Sequence, residues 1–271
     1  MDITKLAWLT DTHLNFLKTV DKQQFYQTLE KADADAVLIT GDIAEAPSVC
    51  ETLTELSQAI NKPIYFVLGN HDYYFGSVDV VRKNIISLCE KNKKLVWLGK
   101  PEVVHLNKDT ILIGQDGWAD GRYGDFDQST IKINDNRLIA ELLQAKLASK
   151  SALRNEMQRL ADIDALTLQL VIYNSIKLHP KKIIIATHIP PFPEASLHED
   201  HISSNDWFPY FASKTMGDVI ANAAKKYSDV NFLVLCGHTH IAKTIQLSNN
   251  LQIRTGSAEY TDLRIEDTLL I

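Results

Sequence analysis

Cysteine is scarce in this chain, which has only three among its 271 residues. Cys50, Cys89 and Cys236 lie far apart and form no CxxC pair, so the sequence predicts neither a disulfide framework nor a thiolate-rich zinc site. This usage fits a reducing compartment. Cys89 and Cys236 stand among apolar residues, where we expect them to pack in the core.

Long apolar runs are also missing, since none approaches the ~20 residues that a membrane-spanning helix needs. The first residues lack a basic segment followed by an apolar one, so no secretory signal is predicted. The net charge of -6 argues against a general affinity for nucleic acid. With 45% hydrophobic residues, the composition predicts a large soluble domain, which we expect in the cytoplasm.

Short apolar runs are present instead, and metal-binding residues follow each of them directly. The runs cover Leu6–Leu9, Ala36–Ile39, Ile64–Leu68, Ile183–Ala186 and Phe232–Cys236. Such runs are typical of strands buried on both faces, as in parallel sheets. Ligands of these sheets bind beyond the carboxyl ends of the strands. We therefore expect the polar clusters to meet along one edge.

Helical patterns alternate with the first strands, over residues 21–31, 47–61 and 80–90, which predicts right-handed crossovers and a parallel sheet. Short strands over 96–98, 103–106 and 111–113 are predicted to continue this sheet. Residues 135–177 keep a helical period with a break near Ser149. We predict a single domain over 1–271 with a helical insertion or cap around 135–177. Whether these helices cover a substrate, form a dimer face or serve as scaffold is left open.

The polar clusters offer carboxylate, imidazole and amide ligands and no thiolate, which favours Mn, Fe or Zn in a non-structural site. Asp11 and His13 are two residues apart, as are His238 and His240, so each pair can reach one cavity from a strand end. The candidate ligands exceed the needs of one ion and suit two divalent ions sharing a carboxylate, which favours phosphate ester hydrolysis. They are Asp11, His13, Asp42, Asn70, His188, His238 and His240.

The ordered motifs D-x-H, G-D, G-N-H-D, H and G-H-x-H resemble those of the calcineurin-like metallophosphoesterases, and they span Asp11 to His240. The resemblance implies an α/β fold, in which a two-sheet β-sandwich is flanked by helices in an αββα order. It also implies that Asp42 bridges two metals. The first metal would be completed by Asp11, His13 and His240, and the second by Asn70, His188 and His238.

The resemblance also implies a role for His71, which is not a ligand in this family but faces the substrate and stabilises or protonates the leaving oxygen. In the Ser/Thr phosphatase branch, an acidic residue three positions after the bridging aspartate orients this histidine, and Glu45 occupies that position here. Such a carboxylate would raise the pKa of His71 and favour its acid form. A solvated carboxylate at a helix N-terminus is the equally weighted alternative. Ala46 replaces that branch's next residue, an arginine, which argues against a protein phosphatase.

Two loops carry candidate substrate contacts. Trp118 and Arg122 follow a predicted strand and could contact an aryl group or base and a phosphate. His198 and His201 could touch the leaving group, and Asn70 is predicted to face the substrate as well as a metal. For the four loop residues, an exposed position in a surface loop is the competing interpretation.

We therefore expect a dimetal hydrolase of phosphoesters, in which a metal-bridging hydroxide attacks phosphorus in line and His71 assists the departing alkoxide. The expected substrate is a phosphodiester or small phosphomonoester, such as a nucleotide. A DNA or RNA nuclease is the alternative that the acidic charge disfavours. A non-catalytic interaction scaffold of the same fold is disfavoured by the complete ligand set. No membrane partner is expected. The sequence does not indicate whether the protein is a monomer or an oligomer.

Overall fold

The structure, a computed structural model, describes residues 2–198 and 201–271. Its strands are β1 (Lys5–Leu9), β2 (Ala36–Thr40), β3 (Ile64–Val67), β4 (Leu95–Trp97), β5 (Val104–His105), β6 (Thr110–Gly114), β7 (Lys182–Ala186), β8 (Leu197–His198), β9 (His201–Ile202), β10 (Asn231–Cys236), β11 (Lys243–Ser248), β12 (Leu251–Thr255) and β13 (Asp267–Leu270). Its α-helices are α1 (Thr19–Lys31), α2 (Val49–Ala59), α3 (Val78–Lys91), α4 (Asp135–Leu138), α5 (Ala140–Ala148), α6 (Lys150–Ile176), α7 (Phe208–Phe211) and α8 (Lys214–Lys226).

Two sheets carry the fold. The first has the order β13-β1-β2-β3-β4 and is parallel except for β13. The second has the order β11-β12-β10-β7-β6-β5, with a parallel centre and antiparallel strands at both edges. A separate hairpin pairs β8 with β9.

Each central strand is covered on both faces, which explains its continuous apolar sequence. In β1, Leu6 and Trp8 pack in the core between the two sheets, whereas Ala7 and Leu9 pack against helices. Helices α1, α2, α3 and α5 and the first part of α6 cover the first sheet. The rest of α6 covers the second sheet together with α8. The predicted αββα sandwich is therefore confirmed.

The middle of the chain departs from the predicted sheet order. Strand β4 is an edge strand of the first sheet, whereas β5 and β6 lie at one edge of the second sheet. The short strands therefore do not continue a single sheet. The five polar clusters accordingly follow strands from both sheets: β1, β2 and β3 from the first, and β7 and β10 from the second. Apolar periodicity identifies a buried strand but does not tell which neighbour completes its hydrogen bonds.

The helical stretch after residue 135 divides into α4, α5 and α6, with the break at the expected place. The Ser149 hydroxyl accepts a hydrogen bond from the backbone N–H of Ala152 at 2.9 Å and so caps the start of α6. Among the helices that the structure describes, none is both long and apolar enough to cross a membrane.

A buried charged network ties both sheets to the helices behind the polar clusters. The guanidinium of Arg82 in α3 donates to Asp116, after β6, and to Asp164 in α6, at 2.9 Å each. Asp116 also accepts from the Tyr73 hydroxyl at 2.6 Å and from the Trp97 indole at 2.8 Å. Because both carboxylates are almost fully buried, their shared cation must stay in place.

Replacing Arg82 by Met should lower the free energy of unfolding by about 3–5 kcal/mol, because Asp116 and Asp164 would lose their buried counter-charge. Denaturant unfolding curves measure this change. The matched control is Arg159→Met, which removes an exposed pair with Glu156 and should cost less than about 1 kcal/mol. Equal losses in the two variants would contradict a structural role for the network.

Candidate metal centre and active site

Four metal-ligating side chains converge where β1, β2 and β10 end. The potential ligand atoms of Asp11, His13, Asp42 and His240 all lie within 4.8 Å of one another. His240 Nε2 is 3.3 Å from Asp11 Oδ1 and 3.4 Å from His13 Nε2. His13 Nε2 is 3.7 Å from Asp42 Oδ2. Two carboxylates and two imidazoles therefore face one point.

A second group of ligand atoms lies on the other side of Asp42. Asp42 Oδ1 is 3.3 Å from His188 Nε2. The side-chain oxygen of Asn70 lies 2.9 Å from His188 Nε2 and 3.0 Å from His238 Nδ1. Asp42 thus presents one carboxylate oxygen to each group. The seven predicted ligands are brought together in two clusters that share this residue.

Left-handed backbone conformations at five of the ligand residues direct their side chains toward the two clusters. The φ angles are positive at Asp11 (47°), His13 (41°), Asp42 (53°), His238 (72°) and His240 (59°). Such a conformation costs roughly 1–2 kcal/mol at a residue with a Cβ. The Asp-x-His and His-x-His pairs therefore converge through tight turns, and not through the side-chain alternation of an extended strand.

Two glycines make room for the carboxylates. A Cβ at Gly69 would lie 2.2 Å from Asp42 Oδ1, and a Cβ at Gly237 would lie 2.1 Å from Asp11 Oδ2. Any larger residue at these positions would push a ligand aside. The glycines before Asn70 and His238 thus let the backbone approach the ligands closely.

Backbone carbonyls fix the ring orientation of two histidines. His188 Nδ1 lies 2.9 Å from the Thr40 carbonyl oxygen, and His238 Nε2 lies 3.1 Å from the Tyr210 carbonyl oxygen. Because a carbonyl only accepts, each of these nitrogens carries the proton. His188 Nε2 and His238 Nδ1 are then turned toward Asn70, as the ligand nitrogens of metal-binding histidines are. The donor set of this cluster fits a divalent cation.

The charge state of the centre is also suited to a cation. Burial lowers the pKa of His13 and of His238 to about 4, so both imidazoles are neutral at pH 7. Burial alone would raise the pKa of Asp42, but the surrounding histidines, His188 first, hold it well below the ordinary value. Burial also opposes a charge on His188, but the Asp42 carboxylate outweighs it and raises the pKa of His188 to about 10. A metal bound there would compete with that proton.

His71 borders the centre without joining either cluster. Its Nε2 lies 3.9 Å from Asp42 Oδ2, and its backbone N–H donates to Asp42 Oδ1 at 2.9 Å. The ring stacks on Tyr74, with 4.2 Å between centroids. His71 therefore stands beside the shared carboxylate with one face supported.

An open cavity of about 400 Å³ lies over the centre. Its walls include Asp42 and His71 together with residues that no motif indicated. These are chiefly Tyr74, Lys132, Asp135, Phe211 and Tyr260. Tyr260 packs on the rings of His13 and His240, with centroid distances of 4.7 and 5.2 Å.

The family model for calcineurin-like phosphoesterases matches residues 4–242, which include the whole centre. The chain belongs to the calcineurin-like phosphoesterase family. It is thus a metal-dependent phosphoesterase, and the Asp–His centre is its candidate metal site. No curated protein matches this chain in sequence.

Solved structures show the same fold at low sequence identity. A phosphopantetheinyl hydrolase from Mycobacterium tuberculosis is similar with a TM-score of 0.61 and 14% identity, over 95% of this chain and 90% of that one. A dimetal phosphatase from Danio rerio has a TM-score of 0.60 and 13% identity, over 98% and 89%. The protein TT1561 of Thermus thermophilus has a TM-score of 0.55 and 11% identity, over 94% and 89%. At such identities the likeness establishes the fold alone.

Asp135 is a site residue that the sequence analysis of this phosphoesterase missed. Its Oδ1 accepts hydrogen bonds from Asn70 Nδ2 at 2.9 Å and from the Tyr74 hydroxyl at 2.6 Å. These contacts turn the amide oxygen of Asn70 toward His188 and His238. No motif marks Asp135, and the 65 residues that separate it from Asn70 hide the pairing in the sequence.

The predicted hydrogen bond between Glu45 and His71 is not formed. His71 Nδ1 is buried and has no hydrogen-bond partner within residues 2–198 and 201–271. The backbone carbonyl of Glu45 accepts from Ser48 and Val49 at 2.8 Å each, which places Glu45 in the turn that leads into α2. The ring of His71 is oriented by stacking on Tyr74 instead.

Trp118 and Arg122 do not line the cavity over the centre. Trp118 is buried in the core against Tyr73, with 5.0 Å between ring centroids. The guanidinium of Arg122 pairs with Asp120 at 3.1 Å and with Asp162 at 2.8 Å. Neither side chain is placed for the predicted substrate contact, because the ring of Trp118 packs in the core and Arg122 is paired with two carboxylates.

His198 and His201 also lie outside the cavity over the centre. His198 stacks on Trp207 with 4.2 Å between centroids, and Phe211 separates this pair from His238. His201 is exposed in the hairpin. His198 and His201 are therefore not placed for the predicted leaving-group contacts, and the ring of Phe211 forms this wall of the cavity instead.

Asp135→Ala should weaken metal binding, because Asn70 would lose the acceptor that fixes its amide. Losing such an outer partner costs ~10–100-fold in metal affinity. Calorimetric titration with Mn²⁺ measures the affinity. Asp135→Asn keeps an accepting oxygen and should bind more tightly than Asp135→Ala. Asp127→Ala removes an exposed carboxylate of the same segment and serves as the control. Wild-type affinity in Asp135→Ala would contradict the role.

Proposed function

We propose that this phosphoesterase is a dinuclear enzyme whose two divalent ions share Asp42. The observation that carries the proposal is that the two oxygens of Asp42 face different ligand clusters. Asp11, His13 and His240 would complete one site, and Asn70, His188 and His238 the other. Nitrogen and oxygen ligands without thiolates favour Mn, Fe or Zn.

Two divalent ions in such a centre supply Lewis-acid activation of the phosphoester and of the attacking water. The side chains of the protein would provide the ionised carboxylate, hold the ligands in position and donate the proton. Asp42 stays ionised between the clusters, and Asn70 is held by Asp135. His71 lines the cavity beside Asp42, where its Nε2 would donate a proton to the leaving oxygen.

The cavity favours a small phosphoester over a macromolecular substrate. Its volume of about 400 Å³ suits a ligand of nucleotide size, and it is lined by the rings of Tyr74, Phe211 and Tyr260. Lys132 is the one Lys or Arg side chain among the described residues that line it. An ammonium beside the metal cluster would attract an anionic group of the substrate. We therefore propose a phosphodiester or small phosphomonoester that carries a flat or apolar leaving group.

Turnover of chromogenic aryl phosphodiesters and phosphomonoesters with Mn²⁺ tests the proposed function. The wild type should hydrolyse at least one ester, and Asp42→Asn should lose metal and turnover together. His71→Ala should lower kcat by about 10²–10⁴-fold because the proton donor is gone. Its metal content should stay at the wild-type value. No turnover by the metal-loaded wild type, or metal loss in His71→Ala, would contradict the assignment.

Lys132→Ala should raise KM for the best ester by about 10–100-fold with a smaller change in kcat, because a charged hydrogen bond to substrate contributes about 1.5–3 kcal/mol. Steady-state kinetics measures both constants. Lys146→Ala serves as the control, since Lys146 lines a neighbouring cavity but not the one over the centre. An unchanged KM in Lys132→Ala would show that the ammonium does not contact the substrate.

A further inference from the structure

Helix α6 carries a row of exposed apolar side chains that the metal centre does not use. They are Ile163, Leu166, Leu170 and Tyr173, whose exposed fractions are 44%, 65%, 51% and 53%. We call these four residues the α6 seam. Soluble proteins expose scattered apolar side chains, but a continuous row on one helix face marks an interaction surface.

The spacing within the α6 seam is three, four and three residues, which is the spacing of the apolar positions in a coiled coil. This spacing is symmetric about position 168, which lies midway between Ile163 and Tyr173 and midway between Leu166 and Leu170. When two copies of such a helix pack antiparallel across a two-fold axis, Ile163 meets Tyr173 of the other copy and Leu166 meets Leu170. An isologous interface requires this self-complementarity, because the same patch must serve both subunits.

The residues that flank the seam near the two-fold axis are uncharged. Thr167 and Gln169 flank position 168, so each would lie near its own counterpart across the two-fold axis. A charged residue at either position would face an identical charge and destabilise the pair. Neutral polar side chains avoid this repulsion.

A groove beside the seam gives the second helix a further surface to contact. It lies between α6 and α8, has a volume of about 400 Å³, and is lined by Leu166, Leu170, Tyr173, Val219 and Tyr227 among others. The opposite face of α6 is buried against the sheets and helices of its own chain. Because Leu166, Leu170 and Tyr173 belong to both the seam and the groove, a single bound helix would contact both surfaces.

We propose that this phosphoesterase forms an antiparallel homodimer through the α6 seam. The occupant is a second copy, because the palindromic spacing and the neutral flanks match this helix to itself. The dimer places α6 of each subunit against α6 of the other, and no residue of the seam lines the cavity over the metal centre. The proposal does not depend on the chemistry of that centre.

Mass measurement by light scattering on the eluting protein tests the proposal, and the wild type should elute as a dimer. The Leu166→Glu, Leu170→Glu double variant should elute as a monomer, because each of the two central layers of the interface would then oppose two carboxylates. Leu147→Glu, on α5 and 79% exposed, is the matched control and should remain a dimer. A cooperative thermal unfolding transition in the double variant shows that it is folded. A monomeric wild type, or a folded double variant that stays dimeric, would overturn the proposal.

Spin labels then test the antiparallel arrangement, in a Cys50→Ser, Cys89→Ser background. With 1.5 Å of rise per residue, labels at Asn155→Cys would lie about 39 Å apart along the helix axis, and labels at Gln169→Cys about 3 Å apart. Pulsed electron resonance measures the long separation, and dipolar broadening of the continuous-wave spectrum measures the short one. A long separation at Asn155 with a short one at Gln169 supports the arrangement. Equal separations at the two positions indicate parallel helices and would overturn it.

Discussion

The carboxylate of Asp42 is the group on which the rest of this site depends. It follows the second strand of the first sheet, yet one of its oxygens faces His188 from the second sheet. The other oxygen faces His13 from the neighbouring strand. A carboxylate can serve two cation sites only when both sheets hold their ligands at fixed distances from it. The sandwich provides this because the sheets share one packed core.

Much of the surrounding structure keeps that arrangement in place. Left-handed turns at the ligands cost free energy, and they persist because backbone hydrogen bonds and close packing define them. His13 N–H donates to the Asp42 carbonyl at 2.9 Å, and His238 N–H donates to Asp11 Oδ1 at 3.0 Å. Behind them, Arg82 holds Asp116 and Asp164 together and so connects both sheets with α3 and α6. Hydrogen bonds at the ligand turns thus fix the site, and the buried charged network fixes the scaffold behind it.

The part of this structure that depends on local pattern could be predicted from the sequence. Apolar runs predicted the central strands, the residues after them predicted the ligand clusters, and the family resemblance indicated His71. Contacts between distant segments could not be predicted in this way. Asp135 reaches Asn70 across 65 residues, and Tyr74 rather than Glu45 supports the ring of His71. Trp118 and Arg122 looked available in a loop, but whether a side chain is free depends on partners such as Tyr73 and Asp162.

Diffraction from crystals grown with Mn²⁺, measured at the manganese absorption edge, tests the central claim most directly. If Asp42 joins two cation sites, the anomalous difference map will show two peaks ~3.5–4 Å apart, as in dinuclear hydrolases, with Asp42 in contact with both. One peak should lie beside Asp11, His13 and His240, and the other beside Asn70, His188 and His238. A single peak, or a pair of peaks that Asp42 does not connect, would contradict the account.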